Sequence, residues 1–119
     1  MTPPVSVSRL REAINSHDPH RVAECFAPDY QCETPLHPAR GFTGSATVLR
    51  NWTALFATFA RLQATVTRTA TDGDETWSEW EMTGTSADGT VTLLRGPVIW
   101  TEVNEVITWA HFYLDRVDT

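Results

Sequence analysis

ETWSEWEMTGTSADGTVTLLRGPVIWTEVNEVITWAHFYLD, residues 75–115, alternates apolar and polar side chains and is broken at Ala87-Asp88-Gly89 and at Val103-Asn104-Glu105. Alternation of period two marks half-buried strands, and Asp, Asn and Gly between such runs mark turns. Three strands follow. QATVTRTAT, residues 63–71, adds a fourth ahead of Asp72-Gly73-Asp74. Strands joined by turns this short pair antiparallel. Gly96-Pro97 interrupts the third of the four. Proline removes a ladder donor, so a bulge or an edge that bends the sheet is expected there.

Upstream the period changes. Val7, Leu10 and Ile14 are spaced three then four, with Ser6 as a possible N-cap, which reads as a short amphipathic helix stopping near Asn15-Ser16-His17. Asp18 before Pro19 caps a second helix, whose face holds Val22, Cys25 and Phe26 and which Pro28 ends. DYQCET, Asp29 to Thr34, alternates as a strand, and PLHPARGFTG then forms a loop. Ser45 opens the longest helix, with Val48, Trp52, Leu55, Phe59 and Leu62 on one stripe facing the sheet. The order helix, helix, strand, helix, then strands predicts one α+β domain over residues 1–119. It is a cone in which a bent antiparallel sheet wraps the N-terminal helices and one long helix, a cystatin-like α+β roll.

Composition narrows the partners. The 119 residues sum to a net charge of −6, and all nine basic residues are Arg, scattered along the chain. With no basic stripe, nucleic acid is not an expected partner. No apolar run approaches the ~20 residues of a membrane span, and MTPPVSVSRL lacks the apolar core of a signal peptide. A cytoplasmic chain without a membrane partner is expected. Cys25 and Cys32 lack zinc-site spacing and read as reduced, packed thiols. No Gly-rich phosphate loop follows a strand, so neither metal nor organic cofactor is expected.

HDPHRVAECFAPDYQCETPLHPARGFTG (17–44), WSEWEMTGTSADG (77–89) and VITWAHFYLD (106–115), in this element order, resemble the nuclear transport factor 2 superfamily. Within it the chain looks like the branch of SnoaL-type polyketide cyclases, ketosteroid isomerase and limonene epoxide hydrolase. That resemblance implies a helix-covered cone holding an apolar small molecule. Aligned on VITWAHFYLD, one catalytic carboxylate of the epoxide hydrolases falls on Phe112, and their Arg and second carboxylate fall near Trp80 and Met82. The water-activating triad is therefore missing. The ketosteroid isomerase base falls on Thr34, beside Glu33.

Alternation divides the strands into two faces. Ser78, Trp80, Met82 and Gly84, with Val106, Thr108, Ala110, Phe112 and Leu114, make the drier set. Trp80, Met82, Phe112 and Leu114 are accordingly assigned to the cavity with Trp52, Phe56 and Phe59. Trp77, Glu79, Glu81, Ile107, Trp109, His111 and Tyr113 go to the outer face. The resemblance puts Glu33 in the cavity, where desolvation would raise its pKa toward that of a general base or acid. Tyr30 or Gln31 would hold the oxygen on which charge develops. His37 is a candidate proton shuttle at the cavity mouth, or an exposed loop histidine. His111 with Glu79 or Glu81 would form an acid/base group if the faces were reversed, and otherwise joins an outer ion-pair network with Arg68 or Arg95. Asp115 ends the last strand, either fixing it or moving a proton. The function expected first is a cofactor-free cyclase, isomerase or dehydratase acting on an apolar, polyketide-like substrate. The alternative is a non-catalytic ligand-binding or dimerisation module. In either case the outer aromatics predict a homodimer through the convex face of the sheet.

Overall fold

The computed structural model describes residues 2–118. Helix α1, Val5–Asn15, buries Ser6, Val7, Leu10, Ala13 and Ile14 as one stripe. Ser6 lies inside the helix rather than capping it. Pro4, at φ −53°, already turns the chain, and its carbonyl accepts from the N–H groups of Val7 and Ser8. Helix α2 is shorter than the sequence suggested, Pro19–Ala23, with Asp18 capping the N–H of His20 at 2.9 Å as expected. Strand β1, Phe26–Glu33, therefore begins earlier and passes through Pro28. The ladder shifts between Phe26 and Gln31, so Pro28 sits where no donor is required. Helix α3, Ser45–Thr58, stops before Phe59 and Leu62. Both remain buried, Phe59 beneath Gly84 and Leu62 on the strand that follows.

The sheet is completed by β2 (Phe42–Thr43), β3 (Arg61–Asp72), β4 (Glu75–Thr85), β5 (Val91–Val103), β6 (Val106–Phe112) and β7 (Asp115–Arg116). Its order is β2-β1-β6-β5-β4-β3, with β7 on β5. Strands β3 to β6 are consecutive antiparallel neighbours, as the short turns require. Strand β1 joins them parallel to β6, which makes the sheet mixed.

The β4 to β5 ladder runs unbroken through Gly96 and Pro97. What changes there is the partner on the other side of β5, from β6 beyond Val98 to β7 at Leu94 and Arg95. The bulge lies elsewhere. Thr101 pairs with Trp109 but Glu102 pairs with Ile107, leaving Thr108 as an extra residue whose hydroxyl bonds the Thr101 hydroxyl at 2.9 Å. Strict alternation put Ile107 outside and Thr108 inside. The bulge reverses this, and Ile107 lies wholly buried in the core.

The inner face of β4 carries Thr76, Ser78, Trp80, Met82 and Gly84, all buried, as alternation predicted. With Tyr30, Val98, Trp100 and Ala110 it packs against the apolar stripes of the three helices. Asn15 closes one side of this core: its side-chain amide donates to the Ala64 carbonyl at 3.0 Å and accepts from the Ala64 N–H at 2.7 Å.

Candidate functional site

Strand register sets which side chains meet, because residues directly opposite on paired strands share a face. Tyr30 and Cys32 are buried, so Gln31 and Glu33, one residue on in each case, are turned outward. Glu33 lies opposite His111, His111 opposite Ile99 and Ile99 opposite Trp77, while Gln31 lies opposite Trp109. The cavity positions that the resemblance implied for Glu33 and Gln31 are thereby corrected. Their parity along β1 is opposite to that of the core residues.

The outer face instead assembles a polar cluster. The Glu33 carboxylate, its side chain 57% exposed, accepts from Trp109 Nε1 at 2.9 Å and from His111 Nε2 at 3.1 Å. The Tyr113 hydroxyl lies 3.5 Å from His111 Nδ1, which can accept from it when Nε2 donates to Glu33. The ring of His111 lies 4.4 Å from that of Trp109 and meets Tyr113 edge-on at 6.0 Å. Two donors favour the ionised carboxylate, so the Trp109 bond first and the His111 bond second hold Glu33 below the ordinary carboxylate range. This is the reverse of the upward shift that burial would have produced.

A consequence for stability follows from that direction. A depressed folded-state pKa contributes stability above the unfolded value, and the contribution is lost as pH falls through the folded value. Urea midpoints should therefore place wild type above Glu33→Gln at neutral pH, with the gap closing through the acid range. A gap that widens on acidification would contradict the assignment.

Nearby, His37 Nε2 and Asp115 Oδ2 are 2.6 Å apart, joining the loop after β1 to β7. Asp115 also accepts from the Arg116 N–H, and the His37 bond, then this backbone bond, hold its carboxyl below the usual range. Thr34, which the resemblance aligns with the isomerase base, donates to the His37 carbonyl at 2.6 Å and helps close the loop. The outer ion-pair network is present, with Arg68 on Glu79 at 3.8 Å and Arg95 on Glu81 at 3.4 Å. His111 pairs with Glu33 rather than with either of those glutamates.

Inside the cone the lining is largely apolar. Trp80 and Met82 are 1% and 4% exposed, so they fill the interior, and Phe56 and Phe59 are buried with them. Trp80 Nε1 donates to the Ser78 hydroxyl at 2.8 Å, which donates in turn to the Val98 carbonyl. Trp52 and Phe112 are half-buried and, with Phe42, Leu55, Leu94 and Leu114, pack against the core. The Tyr30 ring meets that of Phe26 at a tilt, 4.6 Å between centroids, and burial pushes its phenol and the thiols of Cys25 and Cys32 upward in pKa. Both cysteines are free.

One inward carboxylate escaped the sequence reading. Glu102, opposite the buried Ile107, has a carboxylate oxygen out of reach of solvent and of any hydrogen-bond donor, as does the indole N–H of Trp100 for want of an acceptor. Counting from Val98 through Trp100 along β5 would have found it. Among the described residues, no helix is long and apolar enough to cross a membrane.

A family model described as a SnoaL-like domain matches residues 7–110. No curated protein is a significant match. Among solved structures, a protein with a ketosteroid isomerase-like fold from Catenulispora acidiphila, in complex with trimethylamine, superposes with a TM-score of 0.81 at 19% identity, covering 94% of this chain and 87% of its own. A candidate polyketide cyclase from Sinorhizobium meliloti gives 0.71 at 21%, covering 94% of each chain. A candidate ketosteroid isomerase from Kribbella flavida gives 0.73 at 21%, covering 96% of this chain and 78% of its own. At such identities the likeness shows the fold alone. The cone, its mixed bent sheet and the family match over residues 7–110 together make this chain a member of the SnoaL-like domain family.

Proposed function

We propose that this domain binds a small apolar molecule against the half-buried apolar side chains around its core and works as a homodimer through its outer sheet face, without acid/base catalysis by Glu33. The observation that carries the reading is the outward, solvated position of Glu33, set against the half-buried apolar side chains of Trp52, Leu94, Phe112 and Leu114 that pack on the core. Apolar surface with few polar groups suits a ligand recognised by shape. The trimethylamine held by the Catenulispora acidiphila protein supports a small-molecule role. In titrations with 1-naphthol followed by tryptophan quenching, Phe112→Glu should weaken binding about tenfold or more, because a charge would have to be buried. Glu33→Gln should leave binding unchanged. Naphthol binding lost in Glu33→Gln but kept in Phe112→Glu would refute the reading.

The dimer rests on Trp77, 44% exposed, standing in one outer sheet face with Trp109, Tyr113 and the Arg95–Glu81 pair. Aromatic anchors within a charged rim are the usual composition of an interface. Sedimentation should give the dimer mass at micromolar concentration and the monomer mass for Trp109→Glu.

One observation favours a second reading, cofactor-free cyclisation, isomerisation or dehydration. It is Glu102, an inward carboxylate with an oxygen lacking a donor. If a turnover is found, Glu102→Gln should lower it by about 10²- to 10⁴-fold, the contribution of a general base.

A further inference from the structure

A groove of about 630 Å³ lies outside the cone, between the N-terminal part of α1 and strand β3 at the edge of the sheet. An open edge strand ordinarily invites another strand, but two features block that here. The Asn15 side chain already occupies both backbone groups of Ala64. Three residues further on, the register shift between Val66 and Arg68 leaves Thr67 outside the ladder, its hydroxyl turned to Glu79 at 2.7 Å. A bulge bends the strand and spoils the template for an extended peptide. What remains is a bounded hollow, and its size is that of small-ligand pockets, roughly 300–1,000 Å³.

Its walls are chemically divided. Pro3 and Val66 supply apolar surface, Ser8 and Thr65 bring hydroxyls, and Arg11 and Arg68 bring two guanidinium groups, with no carboxylate among the lining residues. In a chain of net charge −6 this is a local reversal of sign. Each arginine has only a loose partner, Glu12 at 3.9 Å from Arg11 and Glu79 at 3.8 Å from Arg68. Exposed pairs near the distance limit contribute little, so either guanidinium can turn to a better acceptor at small cost. We infer that this groove binds a small organic carboxylate with a compact apolar body. The carboxylate lies between Arg11 and Arg68, where charge-assisted bonds are strong, and the body rests on Pro3 and Val66.

Benzoate, titrated into the full chain and followed by backbone amide shifts, is the test. The shifts should centre on Ser8 and on residues 65–69. The double variant Arg11→Gln with Arg68→Gln should bind at least about tenfold more weakly, as expected for the loss of charge-assisted bonds, while keeping its thermal midpoint. Benzyl alcohol, with the same ring and no charge, should bind wild type comparably weakly. Three results would each overturn the inference: shifts centred on α3 and β6, a double variant that binds as well as wild type, or inorganic phosphate binding as tightly as benzoate. The last would reduce the groove to a patch of positive charge. Because the groove and the cone are separate, bound 1-naphthol should persist when benzoate saturates, and its displacement would count against two sites.

Discussion

Gly96→Ala is expected to destabilise the domain by roughly 3 kcal/mol or more, the upper end for a strained backbone position with added steric conflict. Gly96 has φ +149°, which side-chain-bearing residues rarely adopt. The obstacle to the methyl group is also backbone, since a Cβ there would press into the Tyr113 carbonyl, 2.8 Å from its carbon and 3.0 Å from Leu114 Cα. No rotamer change relieves such a clash. The strand leaving β6 has to move off β5, and with it β7 and the His37 to Asp115 bond. For a domain of this length a drop in thermal midpoint of about 10 °C or more should follow. Gly89→Ala is the control, because Gly89 also has positive φ, +88°, but nothing lies within 4 Å of the added methyl. Its cost is backbone strain alone, about 1 kcal/mol. A Gly96→Ala midpoint no lower than that of Gly89→Ala would show that β7 yields freely.

Trp80→Ala should cost about 3–5 kcal/mol, the range for removing a large buried aromatic. The side chain is 1% exposed, and its indole N–H satisfies the Ser78 hydroxyl, itself buried and bonded to Val98. Truncation thus opens a cavity and leaves an acceptor without its donor. Trp80→Phe keeps most of the ring and loses the bond, so about 1–2 kcal/mol is expected. A dry, ring-shaped cavity takes up a matching molecule. Added indole, whose N–H can meet Ser78, should therefore recover part of the stability of Trp80→Ala in urea titrations, and do so better than naphthalene. A small cost for Trp80→Ala, with no response to indole, would mean that the interior around this residue already holds open space.

These effects bear on how far the chain could be read unaided. In β4 both faces were legible, because no residue between Glu75 and Thr85 departs from the ladder on either side. In β6 the same reasoning failed at Ile107 and Thr108. A bulge adds one residue to one strand, and alternation, which counts residues and not partners, carries no sign of it. The stripe Val48, Trp52, Leu55, Phe59 and Leu62 concealed the end of α3. Two buried positions beyond the helix fell on its spacing by coincidence.

Glu33 is a different kind of miss. Tyr30 and Cys32 are the buried pair of β1, and counting from Cys32 turns Glu33 outward. The family likeness instead draws attention to the residue before the loop. The resulting Glu33, His111 and Tyr113 cluster was accessible from alternation only in part. It depends on β1 lying beside β6, a parallel neighbour that no hairpin announces.

That same parallel pairing governs how the chain must be made. Cys32 meets Ala110 across an interval of 78 residues, so β1 has no completed inner neighbour until β6 exists. Contacts of such separation form late and slowly. During synthesis the apolar faces of α1 and α2 and one side of β1 emerge early but wait for residues 106–112 before the sheet can close over them. A chain interrupted after β5 would carry three strands paired as β3-β4-β5 and a β1-β2 pair cut off from them, the kind of exposed edge on which aggregation begins. Quality control in the cell would thus discriminate sharply between chains that stop before β6 and chains that include it, although the difference amounts to one short strand.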